Sequence, residues 1–192
     1  MNVNPKVIFE VGTGAVESTK CLKYFCSDIK CVLFDPIKKF TDELSTIIIK
    51  NDCKNITIHN CAIGDYNGEI EIYDHLEATS IVGIQNPSFQ VGNKEGYLNS
   101  PYNKGIIKVP CFTIDKFDEG NIDILYIDTE GSEWFCIKNL ISRPKIIHIE
   151  MYMNNKQYIN PFEKEILEWM NINNYKLIDI EYDANCIFMK ND

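Results

Sequence analysis

The sequence lacks an excess of positive charge. Its 192 residues carry 19 Lys and Arg against 28 Asp and Glu, a formal net charge of −9. Proteins that hold nucleic acids present a basic face that displaces counterions from phosphates. No Lys/Arg cluster stands out here, so a nucleic-acid partner is not expected. Long apolar runs are also missing. Runs such as residues 7–9 and 47–49 fall far short of the ~20 residues that a membrane-spanning helix needs. Residues 1–6 show no apolar stretch of the signal-peptide kind. No membrane association is expected, and the chain reads as a soluble cytoplasmic protein. Among eight cysteines, no two stand at the C-x-x-C spacing of a zinc or redox motif. Most lie in apolar segments, as at residues 30–33 and 109–112, and read as reduced, buried thiols acting as small apolar residues.

What the chain does have is alternation. Residues 6–11 form a short apolar run that stops at Gly12-Thr13-Gly14, the pattern of a buried strand and a tight turn. Residues 17–25 place Cys21, Leu22 and Phe25 at helical spacing. Residues 31–34 are a second strand, closed by Asp35-Pro36. Pro36 suits the start of a helix whose apolar face is Phe40, Leu44, Ile47 and Ile48. Residues 56–62 read as a third strand. Residues 65–68 signal a turn, residues 69–73 alternate with period two, and residues 106–112 return as a strand that can pair with them.

Residues 75–104, rich in Gly, Asn, Ser and Pro, read as a long mobile lid within the domain, with Phe89, Tyr97 and Tyr102 as candidate stacking surfaces. Residues 123–127 and 145–151 read as buried strands. Trp134, Ile137, Leu140 and Ile141 form a helical stripe, and residues 162–170 a further helix. Residues 175–180 and 185–189 read as a terminal hairpin. This order predicts one α/β domain over residues 1–192. Its sheet is Rossmann-like, mostly parallel and seven-stranded, with helices on both faces and an antiparallel C-terminal hairpin.

In such sheets ligands sit beyond the carboxyl ends of the strands, where the strand order reverses. Four predicted strand ends carry acids: Glu10, Asp35, Asp128 and Glu150. Gly12 and Gly14 allow a ligand to approach the backbone closely. A dinucleotide fingerprint would need a third glycine at position 17, where Glu17 stands and would repel a pyrophosphate. Acids near the turn suit a ligand with a cationic centre better. Asp35 stands where Rossmann-like proteins place the acid that accepts ribose hydroxyls; its alternative role is to cap the helix that follows.

Several motifs occur in order. They are E-V-G-T-G at 10–14, F-D-P at 34–36, N-C-A-I-G-D-Y-N-G-E-I-E-I-Y at 60–73, F-T-I-D at 112–115, I-D-I-L-Y-I-D-T-E-G-S-E at 122–133 and I-H-I-E at 147–150. Together they resemble the FkbM family of methyltransferases that use S-adenosylmethionine (SAM). Glu10 stands where that family usually has Asp, and Asp35 where it usually has Glu. The resemblance implies a class I methyltransferase fold and methyl transfer from SAM to a hydroxyl of a sugar, a glycan or another small molecule. It implies that Glu10, Gly12 and Gly14 line the methionine end of the cofactor, that Asp35 holds the ribose, and that Cys61 and Ala62 flank the adenine.

Asp128, Glu130 and Glu150 are the candidate catalytic residues. Each could take the proton of an acceptor hydroxyl. No metal site is assigned, although clustered carboxylates leave a divalent cation open as a second role. Glu133, in a first helical turn, reads as structural. Two other readings compete: a nicotinamide-dependent oxidoreductase, which the missing third glycine disfavours, and a non-catalytic Rossmann-like binding module. Residues 128–131 also differ from the D/N-P-P-Y type of motif that nucleic-acid amino-methyltransferases use.

Overall fold

The structure is a computed structural model and describes residues 4–25, 27–84, 98–153 and 158–191. Strand β1 (Val7–Val11) is buried along its whole length. Its side chains alternate between two cores. Ile8 packs with Cys21, Phe25, Leu33 and Leu44 on one face, while Phe9 and Val11 pack with Ile137, Ile166 and Met170 on the other. A strand apolar on both sides must lie inside a sheet with both faces covered. Each branched side chain sealed there contributes roughly 1.5–3 kcal/mol.

β1 pairs in parallel with β2 (Lys30–Phe34) and β8 (Ile124–Ile127). β2 pairs with β3 (Ile56–His59), and β8 with β9 (Ile146–Glu150). The terminal hairpin of β10 (Tyr175–Glu181) and β11 (Asn185–Lys190) completes the sheet, with β11 antiparallel to β9. The order is β10-β11-β9-β8-β1-β2-β3. It reverses between β1 and β8, which is where a parallel sheet opens a crevice. This is the seven-stranded, mostly parallel arrangement read from the sequence. Helix α1 (Lys38–Lys50) supplies Leu44, Ile47 and Ile48 to the first core. Helices α2 (Glu133–Ile137) and α3 (Glu163–Ile172) cover the opposite face.

A second sheet lies between β3 and β8 in the chain. Its order is β4-β7-β5-β6, built from β4 (Ala62–Ile63), β5 (Gly68–Tyr73), β6 (Ser80–Ile81) and β7 (Ile106–Phe112). The expected pairing of residues 69–73 with 106–112 is present, with Ile70 opposite Val109. Ala62, Ile72, Ile81 and Val109 form a third core with Ile37 and Phe40 at the start of α1.

Three local expectations are corrected, and a fourth stretch is described only in part. Residues 17–25 form two 3-10 turns, Val16–Ser18 and Lys20–Tyr24, separated by an extended Thr19. The N–H groups of Lys20 and Cys21 are taken by the Glu10 carboxylate at 2.6 and 2.8 Å, so the second turn starts afresh. The strand read over 56–62 is two strands. The Asn60 amide donates to the carbonyls of Asp35 and Pro36, each at 3.0 Å, and this turns the chain toward the second sheet. The stripe through Ile141 stops early. Asp118 captures the N–H groups of Ile141 and Ser142, and Ile141 is exposed. Residues 75–104 are not simply a connection, since they include a 3-10 turn at Leu76–Ala78 and strand β6. Phe89 and Tyr97 lie outside the described residues, and Tyr102 is exposed.

Candidate functional site

The tips of β1, β2, β8 and β9 end at one level and open onto a single cleft. Its floor is the Gly12-Thr13-Gly14 turn, and the strand-end acids Asp35, Asp128 and Glu150 line it. Gly12 and Gly14 both have positive φ, 80° and 58°. Gly12 has a second constraint: a Cβ there would lie 1.7 Å from the Asp128 carbonyl oxygen. The turn is thus pressed against the end of β8, and only glycine fits.

Asp35 is buried and anchored. Its Oδ1 accepts the N–H of Ile37 at 2.8 Å, and its Oδ2 accepts the N–H of Gly14 at 2.9 Å and the Thr13 hydroxyl at 3.4 Å. One carboxylate therefore ties the glycine turn to the start of α1. Burial pushes its pKa up to about 6, while the N–H groups of Ile37 and Gly14 pull it back. Asp35 lines the cleft but does not cap α1 in the usual sense: the N-cap is Ile37, and Asp35 accepts that residue's own N–H.

Beside Asp35 the cleft wall is apolar. Ile37, Phe40, Cys61, Ala62 and Ile63 line it, and the second sheet adds Ile72 and Ile81. Leu76, Thr79 and Ser80, which were read as part of a mobile lid, belong to this wall.

Glu10 sits differently. It is not among the residues that line the cleft, and its carboxylate faces the backbone of Lys20 and Cys21. Burial raises its pKa, and these two N–H groups oppose the shift.

The other end of the cleft is acidic. Oxygens of Asp128, Glu130 and Glu150 lie within 4.8 Å of one another. The turn that carries Asp128 and Glu130 is bent sharply, with Glu130 at φ 55° and Gly131 at φ 103°. A left-handed glutamate costs of order 1–3 kcal/mol and persists only where its surroundings enforce it. Glu133 does the enforcing. Fully buried, its Oε1 accepts the N–H groups of Thr129 (3.1 Å) and Gly131 (2.9 Å) and the Thr129 hydroxyl (3.1 Å), and its Oε2 accepts the Asn160 amide at 2.7 Å. Burial raises the Glu133 pKa. Burial, and then the charges of Asp128, Glu130 and Glu133, push Glu150 up to about 10.

The cleft thus gathers eight of the nine residues singled out from the sequence, all but Glu10. Sequence reasoning missed Ser18 and Lys20, which also line it. Seven cysteines lie among the described residues; all but Cys53 are buried, and Cys26 lies outside them. Among the described residues, no helix is long and apolar enough to cross a membrane.

Solved structures share this fold. A "putative caffeoyl-CoA O-methyltransferase" from Staphylococcus aureus superposes with a TM-score of 0.53 at 11% identity, over 98% of this chain and 77% of that one. A "putative O-methyltransferase" from Klebsiella pneumoniae gives 0.52 at 11% identity, over 98% and 74%. A "putative rRNA-methylase" from Clostridium thermocellum gives 0.52 at 9% identity, over 96% and 86%. At these identities the likeness concerns the class I methyltransferase fold alone. No curated protein sequence matches the chain. The methyltransferase FkbM domain matches residues 10–177, most of the chain. The protein belongs to the FkbM methyltransferase family.

Proposed function

We propose that this protein transfers the methyl group of SAM to a hydroxyl of a small-molecule acceptor, a sugar or glycan being the class favoured. The observation that carries the reading is that one cleft is lined both by the glycine turn with Asp35 and by Asp128, Glu130 and Glu150. The first set fits an adenosyl ligand. Asp35 uses its Oδ1 for a single backbone N–H, and a carboxylate oxygen has a second lone pair for a ribose hydroxyl. Cys61, Ala62 and the neighbouring apolar wall suit the flat faces of adenine. The glycine turn admits the chain of the methionine half.

When bound, SAM supplies a methyl carbon activated by its sulfonium. The chain's own residues align the acceptor and take its proton. As the acceptor oxygen bonds to the methyl carbon and the carbon–sulfur bond breaks, the hydroxyl proton passes to Asp128. S-adenosylhomocysteine and a methyl ether are the products. Asp128 suits this role better than Glu150, whose pKa is pushed up to about 10 by burial and by the charges of Asp128, Glu130 and Glu133. Much of the acceleration comes from alignment in the cleft. The net charge of −9 favours a small acceptor over nucleic acid, and a cytoplasmic location would supply the cofactor.

Calorimetric titration with S-adenosylhomocysteine, followed by transfer of a labelled methyl group to a panel of sugars and other hydroxyl compounds, tests the reading. Micromolar binding and label in a base-stable ether support it; absence of binding, or label on nitrogen, overturns it. The same assay with and without EDTA and added magnesium separates proton sharing among the three carboxylates from bridging by a divalent cation. Unchanged turnover in EDTA supports the former.

A further inference from the structure

The charges of the cleft are lopsided. Asp35, Asp128, Glu130 and Glu150 line it, and Lys20 is the one basic side chain among the described lining residues. The site described above has given Lys20 no part. Its backbone is held firmly: its N–H donates to Glu10 Oε1 at 2.6 Å and that of Cys21 to Oε2 at 2.8 Å. Glu10 is buried on β1, and Cys21 is fully buried in the core. Lys20 therefore starts its 3-10 turn at a point set by the central strand of the sheet, and the residue is partly exposed and lines the cleft. Ser18, on the preceding 3-10 turn, lines the same end.

A ligand with an anionic group faces four acids and one ammonium in this cleft. We propose that Lys20 binds the carboxylate of the amino-acid half of the cofactor, and that Glu10 is the positioning residue that sets it there. The proposal rests on the SAM reading above and adds a determinant of ligand choice. Adenosyl compounds that keep a free carboxylate are preferred over those in which it is missing or masked. An ammonium on a flexible four-carbon stem acts as a point charge with three donors, so the contact does not need the planar geometry that an arginine would impose. It also explains the geometry at Glu10. An acid at the tip of β1 that faced the cleft would repel a carboxylate, whereas one turned onto the Lys20 backbone places a cation there.

The test uses the full chain and calorimetric titration with three ligands: S-adenosylhomocysteine, its carboxamide, and 5′-methylthioadenosine, which has no amino-acid half. The wild-type protein should prefer the acid over the carboxamide by about 10- to 100-fold, the range of a charge-assisted hydrogen bond. Lys20→Met should abolish that preference and leave methylthioadenosine affinity within about twofold; this second ligand also reports that the variant is folded. Lys20→Arg should restore most of the preference. Equal weakening of all three ligands by Lys20→Met, or an unaltered preference, overturns the proposal. A wild-type protein that binds none of the three overturns the SAM reading and this proposal together. One that binds all three equally overturns this proposal alone.

Discussion

At the scale of single residues, the cleft divides its acids by what their environment does to them. Asp35 is spent partly on the fold, burial and acidic neighbours raise the pKa of Glu150, and Asp128 is the base on the proposed reading. Exchanging Glu150 for Gln keeps its shape and matches the uncharged form that its raised pKa favours. Glu150→Gln should therefore melt within a few degrees of the wild type and retain at least about a tenth of its turnover. Asp128→Asn should lose about 10²- to 10⁴-fold in turnover while S-adenosylhomocysteine affinity changes less than about fivefold. Methyl-transfer kinetics beside calorimetry check both, and equal losses in the two variants would contradict the assignment. Gly12 carries a different burden. A Cβ there collides with the Asp128 carbonyl at 1.7 Å, at a φ of 80°. Gly12→Ala should cost about 3 kcal/mol or more and lower Tm by roughly 10 °C, as thermal denaturation would show.

At the scale of elements, the acidic turn after β8 depends on a helix that is barely a helix. α2 has five residues, Glu133–Ile137, and its first one holds the turn through three accepted hydrogen bonds and accepts a fourth from Asn160. Glu133→Ala should leave the N–H groups of Thr129 and Gly131 and the Asn160 amide unpaired, costing about 3–5 kcal/mol and lowering Tm by about 10 °C. Glu133→Gln, which keeps one acceptor oxygen, should lose less. This turn also shows how far the sequence is legible. Residues 123–127 and 145–151 were readable as strands because both their faces are apolar, and the acids at their ends followed from that. Glu133 was readable as structural, but its partner Asn160 stands 27 residues away in a stretch with no periodic signal. The 3-10 turns at 16–24 were not readable, because helical spacing of Cys21, Leu22 and Phe25 holds equally for one helix and for two short turns. What separates them is a contact from Glu10, ten residues earlier. The wall formed by β6 was hidden for a similar reason: two strand residues, Ser80–Ile81, are too few to show alternation.

At the scale of the whole molecule, burial of carboxylates shapes the response to pH. Glu10, Asp35, Glu133 and Glu150 all have pKa values raised above their ordinary range, in each case chiefly by burial. Between that ordinary range and their folded values, the folded chain holds more protons than the unfolded chain. Stability from these groups is therefore complete below about pH 4, and is lost as pH rises through about 6 for Asp35 and about 10 for Glu150. Tm should fall by about 5 °C or more between pH 6 and pH 9, and Glu150→Gln should flatten the alkaline part of that decline. A melting temperature that rises over the same interval would contradict this account. The contact between Gly12 and the end of β8 has a consequence of its own. On the proposed reading, the turn beneath the methionine half and the carboxylates around the acceptor rest on one shared stretch of main chain, the contact of Gly12 with the Asp128 carbonyl. Binding of the acceptor and of the cofactor should then be thermodynamically linked. By whatever factor a bound acceptor tightens the cofactor, a bound cofactor tightens the acceptor by the same factor.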